Sequence, residues 1–190
     1  MRLILASASP RRLDLLARIG VVPDAIVPSE IDESVPRGEL PQDHALRLAR
    51  EKAEVIAQRE PEALVLAADT VVAVGRRILP KVEDEATLRA CMKLLSGRRH
   101  RVLTGVALSV PGGGIRERLG ETMIAMKRLS DDEIDYYAGH GEWRGKAGGY
   151  ALQGYGEVYV RHIAGSYSNV VGLPLAETRL LLKSAGYDIA

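Results

Sequence analysis

A single carboxylate lies in a long apolar run of this 190-residue chain. Within Leu64–Val74, only Asp69 and Thr70 are polar. An unbroken, valine-rich run of this kind predicts a strand that is buried on both faces. Because a buried carboxylate loses its hydration, it needs a cation or hydrogen bonds in exchange. Two interpretations follow: Asp69 binds a metal ion or acts as a base in a cleft, or it pairs with a neighbouring lysine or arginine.

A second candidate group lies where the first helix is predicted to begin. The run Leu3–Ala6 predicts a short buried strand, and Ser9 followed by Pro10 predicts a helix that continues to about Ile19. The polar residues at this helix start are Ser7, Ser9, Arg11 and Arg12. Two arginines in a first turn oppose the helix dipole, and a bound phosphate would offset that mismatch. A solvated surface turn explains the same residues equally well.

A lysine falls on the apolar face of the next predicted helix, Gln42–Arg59. This face is formed at helical spacing by Ala45, Leu48, Ala49, Ala53 and Ile56. Lys52 lies among them, so its ammonium either follows the rim of the face or points into the cleft of Asp69. We expect Lys52→Met to weaken catalysis while leaving stability nearly unchanged or improved, because methionine keeps the apolar stem and removes the charge.

Further polar residues complete the candidate site. Lys81 follows the Asp69 strand, and Glu33 lies in the Pro-punctuated loop 28–41. The four histidines lack the spacing of a zinc site, and no GxSxG or Walker motif occurs. Two carboxylates, several cations and a helix N-terminus in one cleft suit phosphate chemistry, with Mg²⁺ bridging carboxylate and phosphate oxygens.

Composition limits the class of protein. The chain is 46% hydrophobic, which is enough for a core, and its net charge of +1 favours neither nucleic-acid binding nor an acidic partner. Cys91 is the one cysteine, so an internal disulfide is excluded, and its apolar helical surroundings predict a core thiol. The first apolar run is too short for a signal peptide, and no stretch has transmembrane length. We therefore expect a cytoplasmic protein without membrane contact, folded as one domain over residues 1–190.

The order of elements predicts an α/β fold with two lobes around a cleft. A hairpin is predicted from Val102–Val110 and Ile115–Lys127, and a capping box at Ser130 predicts a helix to about Gly139. The remaining predictions are a strand at Ala25–Val27, a turn at Gly75–Arg77, a helix at Glu83–Leu95, a short strand at Glu157–Val160 and a helix at Leu173–Ser184.

The chain resembles the Maf family of nucleotide pyrophosphatases along nearly its whole length. The motifs that carry the resemblance include LASASPRR (5–12), IDE (31–33), RLAREKA (47–53), AADT (67–70), LLSGRRHRVLTGVAL (94–108), KAGGYALQG (146–154) and GSYSNVVGLPL (165–175). The resemblance implies a mixed twisted sheet flanked by helices, as in inosine triphosphatases. It also implies hydrolysis of a nucleoside triphosphate between the α and β phosphates with a divalent cation, Mg²⁺ or Mn²⁺.

The resemblance also assigns roles to residues. Asp69 corresponds to the family's proton acceptor, Glu33 and Asp69 to metal ligands, and the other polar cleft residues are Ser7, Arg12, Lys52 and Lys81. Arg11, Thr70 and Gln153 match the subfamily that acts on dTTP and UTP, and not the subfamily that prefers 7-methyl-GTP. The chain departs from the family at Pro80-Lys81-Val82, where Gly-Lys-Pro is usual. No nucleic-acid partner is implied, and a homodimer is compatible with the resemblance. The competing hypothesis is a non-catalytic, nucleotide-binding regulator of cell division.

Overall fold

A seven-stranded sheet with helices on both faces forms the core of the computed structural model, which describes residues 1–189. The strands are β1 (Leu3–Ala6), β2 (Ala25–Ile26), β3 (Leu64–Val74), β4 (Arg77–Leu79), β5 (Lys81–Val82), β6 (Arg99–Val110), β7 (Gly114–Met126), β8 (Lys146–Ala147) and β9 (Val160–Ala164). The helices are α1 (Pro10–Arg18), α2 (Pro41–Ala57), α3 (Glu85–Leu95), α4 (Asp131–His140), α5 (Tyr167–Val171) and α6 (Leu175–Ser184), with a 3₁₀ helix at Tyr155–Tyr159.

The sheet is mixed, as the sequence predicts. Its strand order is β2-β1-β3-β6-β7-β9, with β4 beside β3. β1 runs parallel to β2 and β3, whereas β3, β6, β7 and β9 pair antiparallel. β5 and β8 form a separate two-stranded ladder. The predicted fold class, a mixed sheet flanked by helices, is confirmed.

One edge of β3 is interrupted, and this gap positions the site. β1 pairs with β3 as far as Ala6 opposite Ala67, and β4 begins to pair at Leu79 opposite Val72. Among the described residues, 68–71 have no strand partner on this edge. Along the other edge, β6 pairs with β3 without interruption. The sheet is therefore open on one side of Asp69 and Thr70.

Two apolar clusters share one face of the sheet, and they give the two lobes their cores. The first cluster joins α1 and α6 to strand residues that include Leu64, Leu66, Ala68, Val106 and Leu108. The second joins α3 and α4 to residues that include Val72, Val102, Ile124 and Met126. Between the clusters lies a polar row, which we define as Thr70, Thr104, Thr122 and Asn169. The cleft between the lobes opens above the Thr70 end of this row.

Helix α2 covers the opposite face and approaches β6 very closely. A Cβ atom at Gly105 would lie 2.3 Å from the backbone oxygen of Ala45, so only glycine fits there. Gly105 is the strand partner of Asp69. Close packing at Gly105 therefore holds α2 over the part of β3 that carries Asp69.

The structure corrects several predicted elements. Glu157 and Val158 belong to the 3₁₀ helix, and the strand of this region is Val160–Ala164, so the predicted strand Glu157–Val160 is wrong. The predicted turn at Gly75–Arg77 is shorter than expected, because Arg77 already belongs to β4. Helix α3 begins only at Glu85, where the Asp84 side chain accepts a hydrogen bond from the Thr87 backbone N–H. The predicted hairpin is confirmed as β6 and β7.

Cys91 is buried in the second apolar cluster, and burial raises the pKa of its thiol, so it is the predicted core cysteine. None of the helices within residues 1–189 combines the length and the apolar character needed to cross a membrane.

Candidate active site

A cleft of about 420 Å³ opens at the gap in the β3 edge. It brings together all nine residues that the sequence analysis named for the site. These residues are Ser7, Arg11, Arg12, Glu33, Lys52, Asp69, Thr70, Lys81 and Gln153. They come from six separate parts of the chain, which the topology assembles where β1 ends and β3 continues.

The gap makes both faces of β3 accessible from one cleft. Neighbouring residues in a strand point to opposite faces of the sheet. Asp69 points towards α2, where it contacts Lys52, and Thr70 points towards α1, where it contacts Arg12. Both side chains line the same cleft because no strand covers this edge of β3 within the described part of the chain.

Lys52 joins two carboxylates. Its Nζ lies 2.6 Å from Asp69 Oδ1 and 2.6 Å from Glu33 Oε1. Asp69 and Lys52 are only 4% and 7% exposed, so the pair is poorly hydrated. Both interpretations of Asp69 therefore describe part of the structure, since the carboxylate lies in a cleft and also pairs with a lysine. The Lys52 ammonium points into the cleft and does not follow the rim of its helix.

Glu33 is held as an anion. Burial raises the pKa of its carboxyl, but hydrogen bonds and charge from Lys52 and Lys81 outweigh this effect and lower it to about 2. At neutral pH Glu33 is therefore ionised, and it cannot supply a proton. It can contribute negative charge, either to the two lysines or to a bound cation.

Lys81 reaches Glu33 from the small ladder. It forms an ion pair with Glu33 Oε2, and its backbone pairs with Ala147 as β5 meets β8. The backbone N–H of Gly148 donates to the Pro80 carbonyl at 3.0 Å. Pro80 thus takes part in fixing the segment, and the Pro-Lys-Val departure leaves the lysine in the cleft.

Arg12 is anchored at three points. Its guanidinium donates to Gly172 O at 2.8 Å, to Ser7 Oγ at 3.1 Å and to Thr70 Oγ1 at 3.4 Å. Ser9 occupies the N-cap position of α1 as predicted, but its side chain makes no capping hydrogen bond. Pro10 has no N–H, and the N–H of Arg12 donates to the Ser9 carbonyl at 3.2 Å. The N–H of Arg11 therefore lacks a side-chain cap at the helix end that lines the cleft.

Gln153 is carried by a loop that the half-buried carboxylate of Glu142 holds in place. Glu142 accepts hydrogen bonds from the backbone N–H groups of Tyr155 at 3.0 Å and Gly156 at 2.9 Å. A Cβ atom at Gly154 would lie 2.2 Å from Glu142 Oε2, so glycine is required beside Gln153. Glu142 was not predicted from the sequence, because it lies outside the motifs shared with the Maf family.

The cleft is also lined by two cationic residues that were not predicted from the sequence to belong to the site. They are Arg144 and Lys146. Burial, followed by the charge of nearby Arg11, lowers the pKa of Lys146, and burial also lowers the pKa of Arg11. Among the described residues, six cationic side chains line the cleft together with only two carboxylates, those of Glu33 and Asp69. This excess of positive charge needs an anion. Lys146 is the first residue of the motif KAGGYALQG, and this position in a family motif could have identified it as a site residue.

The carboxylates of Glu33 and Asp69 could serve as the protein ligands of a Mg²⁺ or Mn²⁺ ion. Mg²⁺ is usually bound through one or two carboxylates together with substrate phosphates. Glu33 and Asp69 supply that number, and both border the cations that would hold the phosphates. Within residues 1–189, no cluster of three or more His, Cys, Asp or Glu side chains offers a complete site. These residues therefore suit an ion that arrives with its substrate.

Comparison with known sequences places the chain in a family. The sequence profile described as "Maf: Maf-like protein" matches residues 2–185. The chain belongs to the Maf family. A family relative from Caulobacter vibrioides, named dTTP/UTP pyrophosphatase, is 61% identical over 185 residues, which is 97% of this chain and 96% of the relative. A relative of the same name from Novosphingobium aromaticivorans is 59% identical over 187 residues, 98% of this chain and 93% of the relative.

Solved structures show a more distant likeness. A nucleoside-triphosphatase, or dITP/XTP pyrophosphatase, from Mycobacterium abscessus is 22% identical, with a TM-score of 0.44 over 68% of this chain and 76% of that chain.

Proposed function

We propose that this Maf protein is a nucleoside triphosphate pyrophosphatase that hydrolyses dTTP and UTP between the α and β phosphates, giving the nucleoside monophosphate and pyrophosphate. The observation that carries the proposal is the pairing of Asp69 with Lys52 inside a cleft that has a large excess of cations. The relatives named dTTP/UTP pyrophosphatase, which are about as long as this chain, support the same activity.

The cations bind the triphosphate. Arg12 and the backbone N–H of Arg11 offer a fixed anion site, and Lys81 and Lys146 line the same cleft. Since pyrophosphate leaves as an anion, positive groups that are already in place stabilise the charge that develops on it. Binding and leaving-group stabilisation are therefore supplied by one set of side chains.

Asp69 activates the attacking water. Its carboxylate is oriented by the hydrogen bond from Lys52 and accepts a proton as the water oxygen bonds to the α-phosphorus. The bond between this phosphorus and the α–β bridging oxygen breaks, and the electron pair leaves with pyrophosphate. Glu33 and Asp69 would hold Mg²⁺ or Mn²⁺ together with phosphate oxygens, and the ion supplies further neutralisation of phosphate charge.

Three residues select the base. Arg11, Thr70 and Gln153 line the cleft, where they can form hydrogen bonds with a pyrimidine base. A site built on hydrogen bonds discriminates strongly, because an unsuitable base leaves buried polar groups unpaired. We therefore expect little turnover of 7-methyl-GTP.

A nucleotide panel tests the proposal. The purified protein is incubated with dTTP, UTP, other nucleoside triphosphates and 7-methyl-GTP in the presence of Mg²⁺ or Mn²⁺, and the products are identified by chromatography. Monophosphate and pyrophosphate from dTTP and UTP are expected. Release of orthophosphate would contradict the site of cleavage, and faster turnover of 7-methyl-GTP would contradict the base selectivity. Binding of nucleotides without any hydrolysis would favour a regulator.

A further inference from the structure

The polar row crosses the sheet beneath the cleft. Thr104, Thr122 and Asn169 are each 0% exposed, and Thr70 forms the end of the row that lines the cleft. Buried hydroxyl and amide groups between two apolar clusters are costly unless their hydrogen bonds are made. Within residues 1–189, every polar side-chain atom of the row except Asn169 Oδ1 has a hydrogen-bond partner, and several of these partners, such as Arg12 and the backbone oxygens of Val102 and Ser166, lie outside the row.

The direction of these hydrogen bonds can be assigned from the chemistry of the groups. Thr104 Oγ1 lies 3.0 Å from the backbone oxygen of Asn169, which can only accept. A hydroxyl has one proton, so the Thr104 proton is used in this bond. Thr70 Oγ1 lies 2.9 Å from Thr104 Oγ1. In this second bond the donor must therefore be Thr70, whose proton points away from the cleft.

The same assignment agrees with the contact made by Arg12. A guanidinium can only donate, and its Nη2 lies 3.4 Å from Thr70 Oγ1. The Thr70 oxygen has two lone pairs in any orientation of its hydroxyl, and directing the proton to Thr104 keeps that proton away from the guanidinium of Arg12. The backbone oxygen of Asn169 also accepts from the N–H of Gly172 at 3.1 Å, so this oxygen keeps a donor when Thr104 loses its hydroxyl.

We propose that Thr104 is a positioning residue of the cleft. By accepting the hydroxyl proton of Thr70, it keeps the oxygen of Thr70 as an acceptor for Arg12 and so helps to hold the guanidinium in place for an anionic phosphate group. Thr104 does not line the cleft, and it acts only through Thr70. The inference rests on the proposed function only in taking phosphate as the group that Arg12 binds.

A double-mutant cycle tests this role, with inorganic pyrophosphate as the probe and calorimetric Kd as the readout. Thr104→Val keeps the shape of the side chain but frees the Thr70 proton, so pyrophosphate binding should weaken roughly tenfold, the equivalent of one hydrogen bond. Thr104→Ser retains the hydroxyl and should bind like wild type. In a Thr70→Val background, Thr104→Val should have no further effect, because its route to Arg12 is already removed.

Thr122→Val is the matched control. Thr122 is equally buried and accepts from Asn169 Nδ2 at 2.9 Å, but it makes no contact with Thr70. This variant should lose a comparable amount of thermal stability while its Kd for pyrophosphate stays close to that of wild type. Melting curves of all variants show whether a weakened Kd reflects unfolding instead.

Each remaining outcome decides the question. Additive effects of Thr104→Val and Thr70→Val, an unchanged Kd in Thr104→Val, or an equal loss in Thr122→Val would overturn the positioning role. A wild-type protein that binds pyrophosphate but leaves dTTP intact would contradict the proposed function alone. A wild-type protein that does not bind pyrophosphate would overturn both.

Discussion

Asparagine at position 69 separates the proposed catalytic role of Asp69 from its ion pair with Lys52. The amide has nearly the same shape as the carboxylate, so strand β3 should keep its packing. Its oxygen can still accept a hydrogen bond from Lys52, but it cannot take a proton from water. Asp69→Asn should therefore reduce dTTP hydrolysis by about 10²–10⁴, the usual contribution of a positioned general base, and loss of a metal ligand adds to this.

The stability cost follows from the second partner of Lys52. Removing one partner of an isolated buried ion pair costs about 3–5 kcal/mol, because the other charge is left uncompensated. Here Lys52 keeps Glu33 Oε1 at 2.6 Å. We therefore expect a loss of only about 1–2 kcal/mol, near the value of one charged hydrogen bond. For a chain of this size that corresponds to a fall in Tm of roughly 2–8 °C.

Two measurements on three proteins check this reasoning. Steady-state release of pyrophosphate from dTTP and thermal denaturation are compared for wild type, Asp69→Asn and the double variant Lys52→Met/Asp69→Asn. The double variant removes both buried charges, so it should be as stable as Asp69→Asn or more stable, and equally inactive. An Asp69→Asn protein that is unfolded at 25 °C would show that the carboxylate is structural. One that keeps a tenth or more of wild-type activity would show that Asp69 is not the base.

Three further predictions concern single positions. Lys52→Met should inactivate the protein and also lower its unfolding free energy by about 3–5 kcal/mol, because two carboxylates lose their shared cation. This replaces the expectation from sequence that stability would be nearly unchanged or improved, and a urea titration that finds wild-type stability would refute it. Gly105→Ala should destabilise the protein by about 1–3 kcal/mol in the same titration, since the added Cβ would lie 2.3 Å from the backbone oxygen of Ala45. The control is Gly139→Ala in helix α4, which should be neutral or stabilising because no atom lies within 4 Å of the added Cβ. Burial lowers the pKa of His100 to about 4. Between pH 6.5 and pH 4 the unfolded chain therefore binds a proton that the folded protein does not, and the free energy of unfolding should decrease by about 3 kcal/mol as the pH falls through that window. His100→Gln should abolish this loss, and a variant with the pH profile of wild type would contradict the assignment.

Long periodic elements could be predicted from sequence, and very short ones could not. The alternation and length of β6 and β7, and the apolar stripe of α2, are strong local signals. β4, β5 and β8 have only two or three residues each, and α5 has five. Such segments are too short to show a period, and they form because neighbouring strands and loops supply their hydrogen bonds.

Most residues that line the cleft with charged or polar groups could be predicted, but their connections could not. The carboxylate of Asp69 stands out because its surroundings in the sequence are apolar. That Lys52 bridges it to Glu33 depends on the loop 28–41 returning to the sheet, which no local pattern encodes. The polar row was missed for the same reason. Thr104 and Thr122 are ordinary strand residues in the sequence, and only their alignment across β3, β6 and β7 makes them a network.

The register of β3 against β6 couples the two halves of the site. Asp69 lies opposite Gly105, and Thr70 lies opposite Thr104. A slip of one residue would exchange the faces, so that Asp69 would point towards the polar row and Thr70 towards α2. Gly105 resists this slip because α2 tolerates no side chain at its position, and Thr104 resists it because its hydroxyl has partners only on the other face. Two adjacent residues of β6, neither of which lines the cleft, thus fix which face of the sheet carries Asp69 and which face carries Thr70.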